Sequence, residues 1–177
     1  MKILIIGVGH KLQTPKTGTD PCLVANRKDL LKRLVTTRVN ERRIAFVGEE
    51  ADFTDDVGTG SVETIAQQVA ASQGGLSWKN IHISKTAENA LGITEEQESR
   101  ESKSLEMLDG VPVIKERHLP SDAIREEYMV WRATTEAREV NAANILILCG
   151  SIHAEEMAKR FLRDGHQVET DYLCQYS

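Results

Sequence analysis

The chain has 177 residues, a length that suits one domain of average size. Its composition, 40% hydrophobic and 28% charged, excludes a disordered or fibrous chain. A formal net charge of −5 argues against a non-specific electrostatic grip on nucleic acid or on an anionic membrane. No apolar run approaches the roughly 20 residues that a membrane-spanning helix needs. The cysteines are odd in number and widely spaced, so they indicate neither a disulfide framework nor a thiolate zinc site, and we expect a cytoplasmic protein: Cys22, Cys149 and Cys174.

The first half of the chain predicts strands that alternate with helices. Residues 2–6 form a β-branched apolar run that ends at glycines, which is typical of a strand buried on both faces. A loop rich in proline and glycine follows, and Asn26 is a candidate cap for the next helix. The predicted elements are a loop over 11–26, a helix over 27–39, a strand over 43–47 and a helix over 61–71.

The second half continues the alternation. A charged stretch over 94–108 is predicted to be either an exposed helix or a mobile insertion. On the long helix that follows, one stripe of residues is predicted to pack in the core: Ile124, Tyr128, Trp131 and Thr135. The predicted elements are strands over 79–83, 111–114, 144–149 and 166–170, and helices over 121–140 and 153–163. The whole pattern predicts a single α/β domain over residues 1–177, with a mostly parallel sheet and helices on both faces.

Two turns near the ends of the chain share one pattern. A buried strand runs into Gly7-Val8-Gly9-His10, and another runs into Gly150-Ser151-Ile152-His153. The carboxyl ends of parallel strands are where open α/β folds place their sites, and glycine allows the sharp turn there. The pattern therefore predicts that His10 and His153 meet at one cleft. Taken alone, His153 is more simply a locally bonded residue at a helix end, and His10 a solvated loop residue.

A third predicted strand ends in Gly48-Glu49-Glu50. Two histidines and a carboxylate suit a divalent metal such as zinc, manganese or iron, and a second carboxylate can accept a proton from water. Successive residues of an extended chain point to opposite faces, so only one of Glu49 and Glu50 is expected to enter the cleft. The sequence leaves open which one. The candidate catalytic residues are His10, Glu49, Glu50 and His153, and the candidate metal ligands are His10, Glu50 and His153.

These residues resemble the superfamily that contains the TraB/PrgY pheromone-shutdown proteins and the Tiki proteases, with the erythromycin esterases and the ChaN haem-binding lipoproteins as similar relatives. Such proteins also carry an arginine-bearing helix with a methionine four residues on, which Arg125-Glu126-Glu127-Tyr128-Met129 resembles in the expected order. The resemblance implies hydrolysis assisted by metal or histidine in some members and ligand binding in others. This chain is shorter than those relatives, so a substrate class is not carried over.

The residues themselves add candidates for ligand contacts. Arg125 and Arg132 lie seven apart on one helix face and offer guanidinium groups to a carboxylate or phosphate. An ion pair with Glu49, Glu50 or neighbouring acids is the simpler interpretation of this face. Tyr128 and His118 are candidates for the border of the cleft, so the substrate-binding set is Arg125, Tyr128, Arg132 and His118. His82 is more simply a structural or solvated residue.

Three functions are compatible with this pattern. The first is a hydrolase, of peptidase or esterase type, that activates water for a small-molecule or peptide substrate with or without a metal. The second is a non-catalytic α/β protein that binds a small molecule or a partner in the same cleft. The third is a homo-oligomer that associates through the helix over 121–140. A dinucleotide site is disfavoured, because Leu12 stands where the third glycine of the fingerprint belongs.

Overall fold

A computed structural model describes residues 1–8, 21–51, 63–94, 107–108, 111–112 and 120–173. Its main element is a five-stranded sheet in which every pairing is parallel, with the order β3-β2-β6-β1-β7. The α/β fold predicted from the sequence is confirmed. The elements are β1 (Lys2–Val8), α1 (Pro21–Arg42), β2 (Phe46–Glu49), α2 (Ile65–Ser72), β3 (Ser77–Asn80), α3 (Lys85–Ala90), β4 (Met107–Leu108), β5 (Val111–Pro112), α4 (Pro120–Glu139), β6 (Asn144–Gly150), α5 (Ser151–Arg163) and β7 (Gln167–Tyr172).

Helices cover both faces of the sheet, because the strands carry apolar side chains on both sides. On one face Leu4, Val47 and Leu146 pack against Val35 of α1 and Val69 of α2. On the other face, alternate residues of the same strands, such as Ile5, Phe46 and Ile147, pack against α4 and α5. Met129 of α4 and Phe161 of α5 belong to this second core. Each fully buried aliphatic or aromatic side chain contributes about 1.5–3 kcal/mol to folding. These two cores hold the strand ends in fixed positions.

Several element boundaries differ from the sequence predictions. Helix α1 spans Pro21–Arg42, so residues 21–26, which were predicted to be part of a loop, belong to the helix. Strand β2 includes Gly48 and Glu49, which were predicted to follow it. Helix α2 is capped by Thr64, whose hydroxyl accepts from the N–H of Gln67 in a capping box, so its predicted start at residue 61 was wrong. Within the predicted strand over 111–114, the structure describes Val111–Pro112, which form β5 and pair antiparallel with β4.

The predicted core stripe of α4 was also wrong. Ile124 and Trp131 are exposed, Trp131 to 59%, and the Tyr128 and Trp131 rings contact each other at 5.6 Å between centroids. The opposite side of the helix is buried, at Glu126, Met129, Val130, Ala133 and Ala137. Both stripes have helical spacing, and the one with smaller residues packs closely on the sheet.

Among the described residues, no helix combines the length and the apolar character needed to cross a bilayer. Most of the charged stretch over 94–108 lies outside the described residues.

Candidate functional site

The candidate site lies where β2 and β6 end, at the carboxyl edge of the sheet. These strands are neighbours, with Glu49 in register with Leu148. The connection from β2 leads through α2 on one face, whereas that from β6 leads through α5 on the other. Neighbouring strands whose connections leave in opposite directions create a crevice, the place where open α/β sheets bind ligands.

Glu50 follows β2 directly and is buried. Its Oε2 atom accepts a hydrogen bond from the backbone N–H of Gly150 at 2.8 Å, and its own N–H donates to the carbonyl of Leu148 at 2.8 Å. Its Oε1 atom lies 3.6 Å from Nε2 of His153. The carboxylate thus occupies the amino-terminal end of α5, where the helix dipole favours negative charge.

His153 is held from its other side by α4. Its Nδ1 atom lies 3.0 Å from Oε1 of Glu126, and because an ionised carboxylate only accepts, Nδ1 is the donor. Glu126 is fully buried, and its Oε2 pairs with Arg160 of α5 at 3.0 Å. A chain of charged groups therefore runs from Glu50 through His153 and Glu126 to Arg160. It fixes the imidazole with Nε2 toward Glu50.

Burial and nearby charge act in opposite directions on the pKa of His153 and in the same direction on the pKa of Cys149. Burial would lower the pKa of His153, but the hydrogen bond to Glu126 and the negative charges of Glu50 and Asp122 raise that pKa above its ordinary value. Burial, together with the charges of Glu50 and Glu126, raises the pKa of the Cys149 thiol well above its usual range. Cys149 is therefore a buried thiol that is poorly suited to act as a nucleophile.

Glu49 faces the opposite side of the sheet from Glu50, as the alternation of an extended chain requires. Its Oε2 atom accepts hydrogen bonds from the hydroxyl of Thr64 and, at 2.8 Å, from the indole N–H of Trp78. Burial raises the pKa of Glu49 although both hydrogen bonds lower it. Of the two glutamates, Glu50 is the one beside His153, and Glu49 joins β2 to the start of α2.

His82 lies on the other side of Glu50, with Nδ1 at 3.9 Å from Oε1. Asn80, the last residue of β3, holds this region. Its side-chain oxygen accepts from the N–H groups of His82 at 2.9 Å and Ala51 at 3.3 Å, and its amide donates to the carbonyl of Ala51 at 2.9 Å. One side chain therefore clamps the residue after Glu50 to the segment that carries His82.

The predicted substrate-binding residues of α4 are engaged with neighbours. Arg125 donates to Glu88 at 2.7 Å and lies 3.4 Å from Asp122, which agrees with the ion-pair interpretation. Arg132 donates to the hydroxyl of Tyr128 at 3.0 Å and lies 3.8 Å from Glu136.

Two predicted site residues, His10 and His118, lie outside the described residues. The strand that precedes His10 is nevertheless a neighbour of β6, with Val8 in register with Gly150. The two strands that precede the glycine–histidine motifs therefore end side by side at the same edge of the sheet. Within the described part of the chain, no group of three histidine, cysteine or acidic side chains suits a metal ion, so the predicted metal set depends on His10.

Sequence reasoning passed over two members of the cluster, the buried Glu126 and the partly buried Arg160, and it set aside His82. A signal for Glu126 was present: it shares the helical spacing of Met129, Val130 and Ala133, so an acid occupies an apolar stripe. A buried acid of this kind requires a partner. No comparable signal marked His82, because its position depends on the pairing of β2 with β3.

Comparisons with known proteins add no relative: no family model matches the chain, and no curated protein or solved structure matches it significantly. The fold and the site define an α/β protein with a buried carboxylate–histidine–carboxylate cluster at a crevice of a parallel sheet.

Proposed function

We propose that this protein is a hydrolase in which Glu50 and His153 activate water. The observation that carries the proposal is the 3.6 Å separation of Glu50 Oε1 and His153 Nε2, in a buried cluster at the carboxyl edge of the sheet. A histidine oriented by a second acid, here Glu126, is a recurrent arrangement for moving protons at catalytic sites.

The chemical step needs only these groups and a carbonyl substrate, such as an ester, a lactone or a peptide. The Glu50–His153 pair accepts a proton from water as the water oxygen bonds to the carbonyl carbon. The pair returns the proton to the leaving atom as the bond between that atom and the carbon breaks. Glu126 keeps the imidazole in place during both transfers, and its own charge is balanced by Arg160.

The same donors suit a divalent metal, which is the second form of this proposal. Carboxylate and imidazole are ligands that zinc accepts, and the hydrogen bond from His153 Nδ1 to Glu126 is the outer contact typical of a metal-bound histidine. Glu50, His153 and the predicted His10 would hold the ion, which would lower the pKa of water. The resemblance to the TraB, Tiki, erythromycin esterase and ChaN superfamily is part of this proposal, as is a location in the cytoplasm.

The test compares two neighbouring glutamates. Purified wild type, Glu50→Gln and Glu49→Gln are assayed against panels of esters, lactones and peptides. We expect Glu50→Gln to lower kcat/KM by about 100-fold or more, the usual effect of losing an acid–base group. We expect Glu49→Gln to retain activity within a few-fold, because glutamine also accepts hydrogen bonds. A Glu50→Gln protein as active as wild type would refute the proposal.

Metal content decides between the two forms. Mass spectrometry of untagged wild type, His10→Ala and His153→Ala is the measurement. Near-stoichiometric metal in wild type that is lost in both variants supports the metal form, and active wild type without metal supports the metal-free form.

A non-catalytic binding protein is the second candidate function. The observation that favours it is the degree to which the cluster is already satisfied: Glu50, His153 and Glu126 each have protein partners and are buried. Networks of this kind also occur as structural ion pairs. A ligand that co-purifies with wild type, together with inactivity on every panel, would favour this candidate. Self-association through α4 is a separate proposal, tested by the solution mass at two concentrations.

A further inference from the structure

We propose that His82 is a third residue of this site, where it holds the same oxygen atom as Glu50 and His153. The proposed function identifies that oxygen as the attacking water, and in this respect the inference rests on the proposed function. The distances that support the inference are independent of it.

The two distances from Glu50 suit one bridging atom. Glu50 Oε1 lies 3.6 Å from His153 Nε2 and 3.9 Å from His82 Nδ1, and both separations exceed those of a direct hydrogen bond. Both are shorter than two hydrogen bonds laid end to end, which would span about 5.6 Å. An oxygen beside each line, about 2.8 Å from both atoms, therefore forms a bent bridge between them. A hydroxylic oxygen suits this place because it both donates and accepts.

His82 is more exposed to solvent than the other residues of the cluster. Its side chain is 25% exposed, compared with 8% for Glu50, 5% for His153 and none for Glu126. Within the described residues, the cluster thus passes from a buried carboxylate to a histidine that faces solvent. A ligand that approaches from that side meets His82 beside Glu50.

The backbone holds His82 in register with Glu50. The N–H of Ile81 donates to the carbonyl of Glu49 at 2.8 Å, and the side chain of Asn80 bonds to both Ala51 and His82. These contacts fix the two segments to each other, so the backbone of His82 is held next to that of Glu50.

A crystal structure of the wild-type protein at high resolution tests the inference without reference to activity. We expect an ordered oxygen within about 3.2 Å of Glu50 Oε1, His153 Nε2 and His82 Nδ1. In a His82→Ala crystal, we expect that oxygen to be lost or displaced. A wild-type site with no such oxygen, or with His82 turned away from Glu50, would overturn the inference.

Kinetics separate this inference from the proposed function. If wild type hydrolyses a substrate, His82→Ala should lower kcat by about tenfold with KM little changed, the effect of removing one hydrogen bond to the reacting oxygen. His82→Gln should restore part of the loss, because an amide also bonds to the oxygen. An unchanged kcat in His82→Ala would refute the role of His82, and the proposed function of Glu50 and His153 would still stand. An inactive wild type that still binds the ordered oxygen would refute the hydrolase and leave the site intact.

Discussion

The carboxylate of Glu50 accepts a hydrogen bond from the backbone N–H of Gly150, 100 residues further along the chain, at 2.8 Å. This contact joins the end of β2 to the start of α5 and places Glu50 beside His153. A glutamate at this point therefore has two partners that no local sequence pattern specifies. The same arrangement makes the cluster sensitive to changes in the packing of α5.

Removal of Glu126 should be among the most destabilising polar changes in this protein. Glu126→Ala leaves Arg160 and His153 without their shared carboxylate, and breaking a buried pair in this way costs about 3–5 kcal/mol. The free energy of unfolding in urea is the measurement. Glu41→Ala is the matched control, because the exposed Glu41 pairs with Arg38 on the same helix, and its loss should cost at most about 1 kcal/mol. Equal losses of stability in both variants would contradict the buried pairing of Glu126 with His153 and Arg160.

Gly7 should not accept a side chain. A Cβ atom there would lie 2.7 Å from the ring of Tyr172 and 3.2 Å from the Cα of Ser151, at the start of α5. We expect Gly7→Ala to cost about 1–3 kcal/mol, the usual penalty of overpacking. Thermal unfolding measures this loss. Gly74→Ala is the control, because no atom lies within 4 Å of the added Cβ. A Gly7→Ala protein as stable as the control would show that β1 and α5 are not packed as described.

Glu88 should make stability depend on pH in the acid range. Burial would raise the pKa of Glu88, but Arg125 and Lys85 lower it below its ordinary value of 4.5. A carboxyl whose pKa is lower in the folded state stabilises the protein above its unfolded pKa. That contribution is lost as the pH falls through the folded pKa.

The measurement is the free energy of unfolding of wild type and Glu88→Gln between about pH 7 and pH 3, where carboxyl groups titrate. We expect wild type to be more stable at neutral pH, and the difference to shrink as the pH falls. Glu155→Gln serves as control, since the side chain of Glu155 is 73% exposed. A difference that is constant across the range would show that Glu88 is not stabilised by Arg125.

The two stripes of α4 should respond differently to truncation. Met129 is buried against the sheet, so Met129→Ala should cost about 2–5 kcal/mol. Trp131 is exposed, and Trp131→Ala should change stability by no more than about 0.5 kcal/mol. Urea unfolding of both variants checks this. A large loss for Trp131→Ala at low protein concentration would mean that the sequence-based core assignment was the better one.

The alternating pattern of the chain was sufficient to predict the main strands and the α/β fold. Apolar β-branched runs such as residues 2–6 and 144–149 are stable only when both faces are covered, which requires helices on both sides of a parallel sheet. Alternation along the strand also predicted that Glu49 and Glu50 face opposite sides. These are local properties of the chain, so the sequence by itself determined them.

Only the tertiary structure decided which of these residues meet. The order β3-β2-β6-β1-β7 places Glu50 between His82 and His153, and the packing of α4 brings Glu126 beneath the imidazole. The choice between the two stripes of α4 was decided in the same way, by which one fits the sheet. Helical spacing specifies that residues share a face. The surface that each face contacts depends on strand pairings and packing between distant parts of the chain, which no local pattern contains.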